Sequence, residues 1–303
     1  NTCGIAAVGT GFIGKSLVQA LIQAGEEVRM LLRPSKAYKN FPRGISVEVA
    51  VSSFTDERSL KAATKGVDTI YHLAGAEHQG LKANLNQIDV EGTATLLRAC
   101  KDSNVKRFFY LSHHGADRGS AYPVMKAKGI SENRIIQSGI PYTIFRSGAI
   151  FGPGDHFTVP IAKLLKLTPV FFLLPGDGTT LVQPLWVEDF VTCMLLAAGD
   201  EKMANRTLSI GGIEAIQYLD VVKIVMEKTG IRRKLQPVTP DFLRRLTLWV
   251  DQVYPKFPIS IFWLDELSVD RITGLDSIPR EFGLIPSRFK NRLDFLSKQV
   301  KHG

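Results

Sequence analysis

The chain has 303 residues, enough for one large α/β domain or for a nucleotide-binding domain with a smaller appendage. Its apolar fraction of 45% and charged fraction of 22% are typical of a folded globular protein and exclude a disordered chain. The net charge is +9, but the Lys and Arg residues are dispersed, which argues against nucleic-acid binding, because that needs a concentrated basic stripe. The surplus charge is instead compatible with an anionic cofactor.

Apolar runs and cysteines exclude two further classes of protein. The longest apolar runs, residues 169–175 and 259–264, are too short to span a bilayer, so no transmembrane segment is predicted. No basic segment precedes the first strand, so we expect a cytoplasmic protein, or one of an organelle matrix if a targeting segment precedes Asn1. Cys3, Cys100 and Cys193 are too few and too scattered for a disulfide framework or a metal site, and we interpret them as core residues.

The first thirty-odd residues predict a strand–turn–helix–strand unit. Residues 5–8 and 28–32 are apolar runs typical of buried strands, with a helical pattern between them. The turn that opens this helix fits G-x-G-x-x-G and reads Gly9-Thr10-Gly11-Phe12-Ile13-Gly14. Glycines let the main chain approach a pyrophosphate closely, and the helix N-terminus supplies N–H groups and a positive dipole end. The unit therefore predicts a dinucleotide site at this turn.

Basic residues follow the second strand, where dinucleotide-binding folds meet the adenosine ribose. An acidic residue at this position binds the 2′-hydroxyl of NAD, whereas a basic one suits the 2′-phosphate of NADP. Arg33 ends the strand and Lys36 follows, with no acidic residue between Val28 and Lys39. We therefore favour NADP(H) as the cofactor, with NAD(H) as the alternative.

Strands and helices then alternate as far as Phe151. Strands are predicted at 45–51, 68–75, 107–112 and 142–146, and helices at 56–63, at 85–103 and before Gly139. The rhythm predicts a doubly wound parallel sheet of the Rossmann type, with ligands at the C-terminal ends of its strands. The fourth strand ends in Leu73, Ala74 and Gly75. The small side chains at this end of the strand would let a cofactor pack against the backbone.

Beyond Phe151 proline becomes frequent, and the regular alternation of strands and helices ends. Helices are predicted at 187–198, 218–229 and 241–254, a strand at 207–210, and a last helix around Phe289, Leu293 and Leu296. We predict an NAD(P)-binding core over residues 1–155. Residues 156–303 hold the remaining sheet elements and a small mixed C-terminal lobe, interleaved with the core in one compact unit.

Several segments together match one family. They are the glycine turn, Tyr71-His72-Leu73-Ala74, Val90-Glu91-Gly92-Thr93, Val105-Lys106-Arg107-Phe108, Arg146 with Phe151-Gly152-Pro153-Gly154-Asp155, Val187-Glu188-Asp189 and Gly211-Gly212. In them the chain resembles the extended short-chain dehydrogenase/reductase superfamily, which is epimerase/dehydratase-like. Within it, the chain is similar to the atypical branch that contains the NADPH-binding accessory subunit of respiratory complex I. The resemblance implies a Rossmann domain that binds NADP(H) beside a small C-terminal substrate lobe. It does not imply catalysis, because this branch includes proteins that hold the nucleotide structurally.

The sequence departs from the family pattern at three places. Ala7 and Val8 stand where the superfamily's glycine motif has Thr and its first Gly. Ser53 replaces an Asp that contacts adenine, and Asp89 replaces the Asn before V-E-G-T. These departures bear on how the nucleotide is held rather than on whether it is bound.

Catalysis in this superfamily uses a Tyr-x-x-x-Lys pair with an upstream Ser. The tyrosine, whose pKa is about 10 when free, needs a nearby ammonium to act as a proton donor or acceptor during hydride transfer. This chain offers Ser112 at the end of the fifth strand, with Tyr122 and Lys126 one helical turn apart. Ser112, Tyr122 and Lys126 are therefore the candidate catalytic set.

A second alignment competes with this one. Lys128 and Glu132, followed by Ser138-Gly139, match the family's K-x-x-x-E and S-G spacing without a gap, which places Val124 at the tyrosine position. Lys126 and Lys128 point about 200° apart on a helix, so only one can face the nicotinamide ribose. Lys128 is thus the alternative cofactor-facing lysine. A surface i,i+4 pair between Lys128 and Glu132 is a third interpretation.

The residues leave two functions open. One is an NADP(H)-dependent oxidoreductase or epimerase acting on a small carbonyl or hydroxyl compound. The other is a non-catalytic accessory or regulatory protein that holds NADPH and docks onto a larger assembly. The aromatic residues Trp249 and Tyr254 and the stretches 171–174 and 257–263 are interpreted as core or contact surface, which leaves a peripheral membrane contact open. His113 and His114 are interpreted as loop residues at the cofactor mouth, and no metal site is predicted.

Overall fold

The structure is a computed structural model that describes residues 4–9, 11–32, 47–75, 84–254 and 257–302. The chain divides into two units. The first falls within Asn1–Ala76, Asn84–Arg146 and Met194–Leu208, and the second within Ser147–Cys193 and Ser209–Gly303. Residues 194–208 thus return to the first unit after the chain has entered the second.

The described elements follow one another in a β/α alternation. The strands are β1 (Ile5–Val8), β2 (Val28–Leu32), β3 (Glu48–Val51), β4 (Thr69–His72), β5 (Arg107–His113), β6 (Tyr142–Ser147), β7 (Ile150–Phe151), β8 (Phe171–Pro175), β9 (Leu181–Val182), β10 (Leu185–Trp186), β11 (Arg206–Ser209), β12 (Ile216–Gln217) and β13 (Lys234–Val238). The helices are α1 (Phe12–Gln23), α2 (Glu57–Thr64), α3 (Gly92–Asp102), α4 (Pro123–Gln137), α5 (Thr158–Leu167), α6 (Val187–Ala198), α7 (Tyr218–Thr229), α8 (Pro240–Val253), α9 (Ile261–Glu266), α10 (Ser277–Phe282) and α11 (Phe295–His302). A π-helical segment, Asn86–Glu91, runs directly into α3, and 3-10 turns occupy Glu201–Met203 and Phe289–Arg292.

The first unit is built on a seven-stranded sheet with the order β3-β2-β1-β4-β5-β6-β11. β1 pairs in parallel with β2 on one side and with β4 on the other, and the pairs β2–β3 and β4–β5 are also parallel. The strand order reverses between β1 and β4. Sheets of this type bind ligands at that point, outside the C-terminal ends of the strands. The predicted doubly wound parallel sheet is confirmed.

Continuous apolar strands explain why this sheet forms. All five residues of β2 are buried, and β1 carries Ala6, Ala7 and Val8 at 2% exposure or less. Strands covered by helices on both faces need such unbroken runs rather than an alternating pattern. Asp56 precedes α2, and its Oδ1 accepts hydrogen bonds from the N–H groups of Arg58 and Ser59 at 3.1 and 3.2 Å. This cap explains why the helix begins one residue later than predicted.

The second unit has its own core and small sheets. β8 pairs in parallel with β13, β7 with β10 in parallel, and β9 with β12 in antiparallel. Helices α5, α7 and α11 pack on one another around a core in which the Phe151 and Phe289 ring centroids lie 4.9 Å apart. The buried carboxylate of Asp155 caps α5 by accepting hydrogen bonds from the N–H groups of Phe157 and Thr158.

Two predicted helices differ from the structure. The helix expected over 85–103 begins as the π-helical segment, because side chains of α4 hydrogen-bond two of its carbonyls: Ser131 Oγ donates to Asp89 O at 2.8 Å, and Arg134 Nη1 to Val90 O at 3.2 Å. These bonds compete with regular α-helical pairing. The last helix breaks at Leu293 into a 3-10 turn and α11, and the turn is anchored by Phe289 N–H, which donates to Glu214 Oε1 at 2.8 Å.

Two further features concern the interpretation of the cysteines as core residues and the search for membrane-spanning helices. Cys100 and Cys193 are buried free thiols, and burial raises the pKa of each to about 12. Both therefore behave as core residues, as predicted, whereas Cys3 lies outside the described residues. In the part of the chain that the structure describes, no helix is long and apolar enough to cross a membrane.

Candidate dinucleotide site

The glycine turn between β1 and α1 is held in a shape that only glycine fits at two positions. Gly9 has a φ of 127°, and a Cβ there would lie 3.2 Å from the backbone nitrogen of Ala74. A Cβ on Gly14 would lie 2.2 Å from the carbonyl oxygen of Gly9. The first glycine therefore lets the turn pass the end of β4, and the last lets α1 pack under the turn.

Gly11 differs from the other two glycines, because a Cβ added there would meet nothing within 4 Å. It is the N-cap of α1, so the N–H groups of the first helical turn begin beside it. The first turn of α1 carries no acidic residue that would repel an anion. The open space beside Gly11 is therefore suited to a phosphate group. Phe12 and Ile13 form the start of this helix, and Thr10 lies outside the described residues.

The end of β4 lies directly beside this turn. The N–H of Leu73 donates to Val8 O at 2.9 Å, and Ala74 is 8% exposed against Gly9. Gly75 is the last described residue of this segment. The predicted cofactor-binding residues of β1 and β4 thus come together at the switch point of the sheet. Arg33 and Lys36, on which the choice between NADP and NAD was predicted to depend, lie outside the described residues.

Ser112 lies near the C-terminal end of β5 and is 3% exposed. Its Oγ is buried and has no hydrogen-bond partner among the described residues. A buried hydroxyl without a partner costs about 1–3 kcal/mol, so a polar group that completes this site would remove the cost. Ser112 thus offers a donor or acceptor at the C-terminal ends of the strands, beside the candidate nucleotide site.

Tyr122 and Lys126 lie at the start of α4. Tyr122 is the half-buried N-cap residue, and its carbonyl accepts from Lys126 N–H at 2.9 Å. Pro123 occupies the first helical position, as the sequence predicted. The side chain of Lys126 is exposed. The two residues therefore lie one turn apart, but the lysine does not enter the buried side of the helix.

Lys128 occupies the buried side of α4. Its side chain is 7% exposed, and Nζ lies 3.7 Å from Asp89 Oδ1, whose side chain is 1% exposed. Nζ also donates to Leu111 O at 3.4 Å and lies 5.3 Å from the centroid of the Tyr110 ring. The ammonium group therefore sits at the C-terminal end of β5, next to the residue that precedes Ser112.

Glu132 lies one turn beyond Lys128 and does not pair with it. Its carboxylate binds the guanidinium of Arg146 in a bidentate manner, with Nε–Oε1 at 2.9 Å and Nη2–Oε2 at 2.5 Å. This hydrogen-bonded carboxylate raises the pKa of Arg146. The interpretation of Lys128 and Glu132 as a surface i,i+4 pair is wrong, because both side chains are buried and each has another partner. Val124, four residues before Lys128, is also buried, at 4% exposure.

His72, the last residue of β4, adds a buried and neutral imidazole. Its Nε2 lies 2.8 Å from Thr93 Oγ1, and burial lowers its pKa to about 3, with a smaller contribution from the charge of Lys128. His114 is 6% exposed, and among the described residues no group of three or more His, Cys, Asp or Glu side chains is placed to hold a metal ion.

The partner of Lys128 is a residue that sequence reasoning did not include in the site. Asp89 was noted only as a departure from the family's Asn. A signal was available, because an acidic residue at an inward helix position requires a cation when it is buried. The π-helical segment that carries Asp89 could not be read from periodicity, since it depends on Ser131 and Arg134 from α4.

A separate depression of about 510 Å³ lies at the N-terminal ends of β4 and β5 and is lined by residues 66–68 and 103–106. These residues precede β4 and β5, whereas the glycine turn and Ser112 lie at the C-terminal ends of the strands. Ligands of this sheet type bind at the C-terminal ends, so the depression is not the nucleotide site. The open side of Gly11, the first turn of α1 and the Ser112 hydroxyl, which has no hydrogen-bond partner among the described residues, fit a dinucleotide better.

Comparisons with known proteins agree with this geometry. Residues 9–157 match the family described as NAD(P)H-binding. Sterol demethylase protein B of Methylococcus capsulatus is 30% identical over 272 residues, which cover 82% of this chain and 81% of that protein. The chain belongs to the NAD(P)-binding, extended and atypical short-chain dehydrogenase/reductase superfamily.

Other relatives carry different names. A mitochondrial protein of Arabidopsis thaliana, NADH dehydrogenase (ubiquinone) 1 alpha subcomplex subunit 9, is 25% identical over 313 residues, covering 97% of this chain and 77% of that protein. The photosystem II assembly factor Ycf39 of Trieres chinensis is 24% identical over 270 residues, covering 89% of this chain and 81% of that protein.

Solved structures share the fold. Triphenylmethane reductase of Citrobacter sp., complexed with NADP(H), has a TM-score of 0.74 at 19% identity and covers 98% of this chain and 99% of its own. UDP-glucose 4-epimerase of Thermus thermophilus, complexed with NAD, has a TM-score of 0.73 at 19% identity and covers 98% of each chain. At this identity they show the fold alone.

Proposed function

We propose that the protein holds NADP(H) at the C-terminal ends of β1 and β4 and serves as a nucleotide-binding subunit or assembly factor of a larger protein complex. The observation that carries this proposal is the orientation of α4. Its buried lysine is Lys128, and the residue one turn earlier on that face is Val124. Valine has no proton to exchange, so this face of the helix lacks the acid–base pair of a reductase.

The alternative pair on α4 is less suited to catalysis. Tyrosine chemistry needs an ammonium that is close to the phenol and directed into the site, because the charge lowers the tyrosine pKa. Lys126 is exposed, and it points about 200° away from Lys128 around the helix. An exposed ammonium is screened by water and acts weakly on the phenol.

The proposed cofactor contacts follow from the geometry of the turn. The backbone of Gly9–Gly14, including Thr10, Phe12 and Ile13, would hold the pyrophosphate, and Leu73, Ala74 and Gly75 would pack against the nucleotide. Lys128 would face the nicotinamide ribose, and Arg33 with Lys36 would bind a 2′-phosphate. The side chains of this site would bind and orient the nucleotide, and bound NADPH would supply a hydride only under the second candidate function below.

The names of two relatives support a role in an assembly. One is called a photosystem II assembly factor and the other a subunit of an NADH dehydrogenase, and both are similar to this chain over most of its length. The partner would be a protein, and a small-molecule substrate is not required. Relatives named as reductases keep the enzymatic function as the second candidate.

Matched lysine variants test the proposal. We expect Lys126→Met and Tyr122→Phe to bind NADPH within about twofold of the unchanged protein in isothermal titration calorimetry, because neither side chain contacts the nucleotide. Asp89→Asn combined with Lys128→Met should weaken binding about tenfold, since a charge-assisted hydrogen bond contributes about 1.5–3 kcal/mol. The double change avoids leaving a buried charge unpaired. Weaker binding in Lys126→Met alone would overturn the proposed orientation.

The cofactor preference has its own test. Arg33→Ala should weaken NADPH binding about tenfold and leave NADH binding unchanged, because only NADPH carries the 2′-phosphate. Arg58→Ala, an exposed change on α2, is the matched control. Equal affinity for NADPH and NADH, with Arg33→Ala affecting neither, would contradict the preference for NADP(H).

An oxidoreductase or epimerase with Ser112, Tyr122 and Lys126 is the second candidate. The unpartnered Ser112 hydroxyl favours it, because such a group could hold a substrate oxygen. The test is NADPH oxidation with a panel of aldehydes and ketones. A carbonyl-dependent activity that is lost in both Ser112→Ala and Tyr122→Phe would support this candidate and contradict the non-catalytic role.

A further inference from the structure

An exposed apolar stripe runs along α8 in the second unit. Phe242 is 52% exposed, Trp249 61% and Val253 52%, and Leu246 lies between them in a half-buried position. Their spacing of four, three and four residues places all four within an arc of about 60° on the helix. We call these four residues the α8 stripe. The side of the helix that meets the core carries Leu243 and Thr247, so the stripe extends the apolar surface beyond what the core covers.

Basic residues occur on α8 and in two neighbouring stretches of the sequence. Between Ile231 and Tyr254 there are five Arg and Lys residues and two acidic residues, and α5 with the loop after it adds Lys163 and Lys166 without an acid. Arg245 is exposed at the flank of the stripe, and Arg244 is fixed by Asp265, with Nη1 2.7 Å from Oδ1. Arg245 therefore gives the apolar stripe a cationic flank.

A second set of exposed apolar residues lies between α5 and β8, the strand that α8 contacts. Leu167 at the end of α5, Val170 in the loop and Phe171 at the start of β8 are 63%, 48% and 48% exposed. Lys234 donates its N–H to Val170 O at 3.0 Å, so the basic segment 232–234 borders these residues. The same mixture of apolar and basic side chains thus recurs at the edge of the β8–β13 sheet.

We propose that this surface docks onto an anionic lipid bilayer, with α8 lying in the interface and Trp249 entering the headgroup region. A helix with Trp and Phe on one face and Arg at its border binds membranes by burying the apolar face while the cations meet anionic lipids. An exposed tryptophan is typical of the boundary between water and hydrocarbon. The proposal goes beyond nucleotide binding, and the two can fail separately.

Vesicle sedimentation tests the docking. The full chain should bind vesicles of equimolar phosphatidylcholine and phosphatidylglycerol at least about tenfold more tightly than pure phosphatidylcholine, because each basic residue near the surface contributes about 1 kcal/mol. Phe242→Ser with Trp249→Ser should weaken binding to the anionic vesicles at least about tenfold. Ile285→Ser, which changes an exposed apolar side chain outside the surface, should bind like the unchanged protein.

Tryptophan emission provides a second readout. The other two tryptophans, Trp186 and Trp263, are 7% and 8% exposed, so a blue shift on adding anionic vesicles would report Trp249. Trp249→Phe should keep the binding and lose the shift. Absence of sedimentation with anionic vesicles by a folded chain would overturn the proposal. A concentration-dependent dimer that Trp249→Ser abolishes would also overturn it, because the stripe would then be covered by a second copy of the chain.

Discussion

Lys128 and Asp89 form a buried ion pair, with 3.7 Å between Nζ and Oδ1 and side chains that are 7% and 1% exposed. The pair joins α4 to the π-helical segment before α3, and it directs the ammonium group toward the end of β5. An ion pair at this depth is costly to break, since the remaining charge stays in a poorly solvated site. The pair therefore accompanies the burial of Lys128 on α4, whereas Lys126 is exposed.

Removing one member of this pair should destabilise the fold. We expect Lys128→Met to lower the free energy of unfolding by about 3–5 kcal/mol, because it removes the cation that lies 3.7 Å from the buried carboxylate of Asp89. Asp89→Asn combined with Lys128→Met removes both charges and should recover most of that loss. Urea unfolding at neutral pH measures both effects. Lys126→Met, an exposed control on the same helix, should change stability by less than about 0.5 kcal/mol.

This prediction has a clear contrary outcome. If the single and double variants were equally destabilised, the loss would come from the packing of the lysine stem. The charge pair would then not be the cause.

A substitution at Gly11 should weaken nucleotide binding without affecting the stability of the fold. A Cβ at Gly11 meets no protein atom within 4 Å, so Gly11→Ala should leave the thermal midpoint unchanged within a few degrees. The same methyl group would occupy the space proposed for the pyrophosphate, so NADPH affinity should fall at least about tenfold. Calorimetric titration with NADPH and a thermal melt without nucleotide measure the two effects.

Two other glycines of this segment, Gly14 and Gly4, serve as controls. Gly14→Ala should destabilise the protein itself, since its Cβ would lie 2.2 Å from Gly9 O, whereas Gly4→Ala meets nothing and should be neutral in both measurements. Unchanged NADPH affinity in Gly11→Ala would place the phosphates elsewhere.

The burial of His72 should make stability depend on pH. Its pKa is lowered to about 3 in the folded protein, against a usual value of about 6.5. Below pH of about 6.5 the unfolded chain binds a proton that the folded chain excludes, so stability falls as the pH drops from there toward 3. Between pH values of about 7.5 and 5.5 this group should account for a loss of about 1.4 kcal/mol.

His72→Gln provides the comparison, because glutamine keeps a polar group near Thr93 without titrating. Urea unfolding at the two pH values should show a loss in the unchanged protein that exceeds the loss in His72→Gln by about 1.4 kcal/mol. Equal losses in the two proteins would show that His72 takes up its proton in the folded state.

The parts of the fold that depend on local pattern could be predicted from the sequence. Unbroken apolar runs identified β1 and β2, and the spacing of glycines identified the turn, because the backbone conformation at Gly9 and the close contact at Gly14 exclude other residues. The helices at Val187–Ala198 and Tyr218–Thr229 have the predicted bounds. In these segments the local preference and the tertiary contacts agree.

Features that depend on contacts between distant segments were not predictable. Lys126 and Lys128 both fit a helix, and only the position of Asp89 relative to α4 distinguishes them. The π-helical segment likewise depends on Ser131 and Arg134, more than forty residues away in the chain. The exposure of Trp249 depends on how far the core of the second unit reaches along α8. Periodicity alone assigns an apolar residue to a face but does not tell what covers it.

The orientation of α4 is tested most directly by a structure of the full chain with NADPH bound. We expect Lys128 Nζ within hydrogen-bonding distance, about 3.2 Å, of a nicotinamide ribose hydroxyl, with Lys126 in solvent. We also expect the Tyr122 hydroxyl to be turned away from C4 of the nicotinamide. Lys126 at the ribose, with the Tyr122 hydroxyl beside C4, would contradict the account and support a reductase.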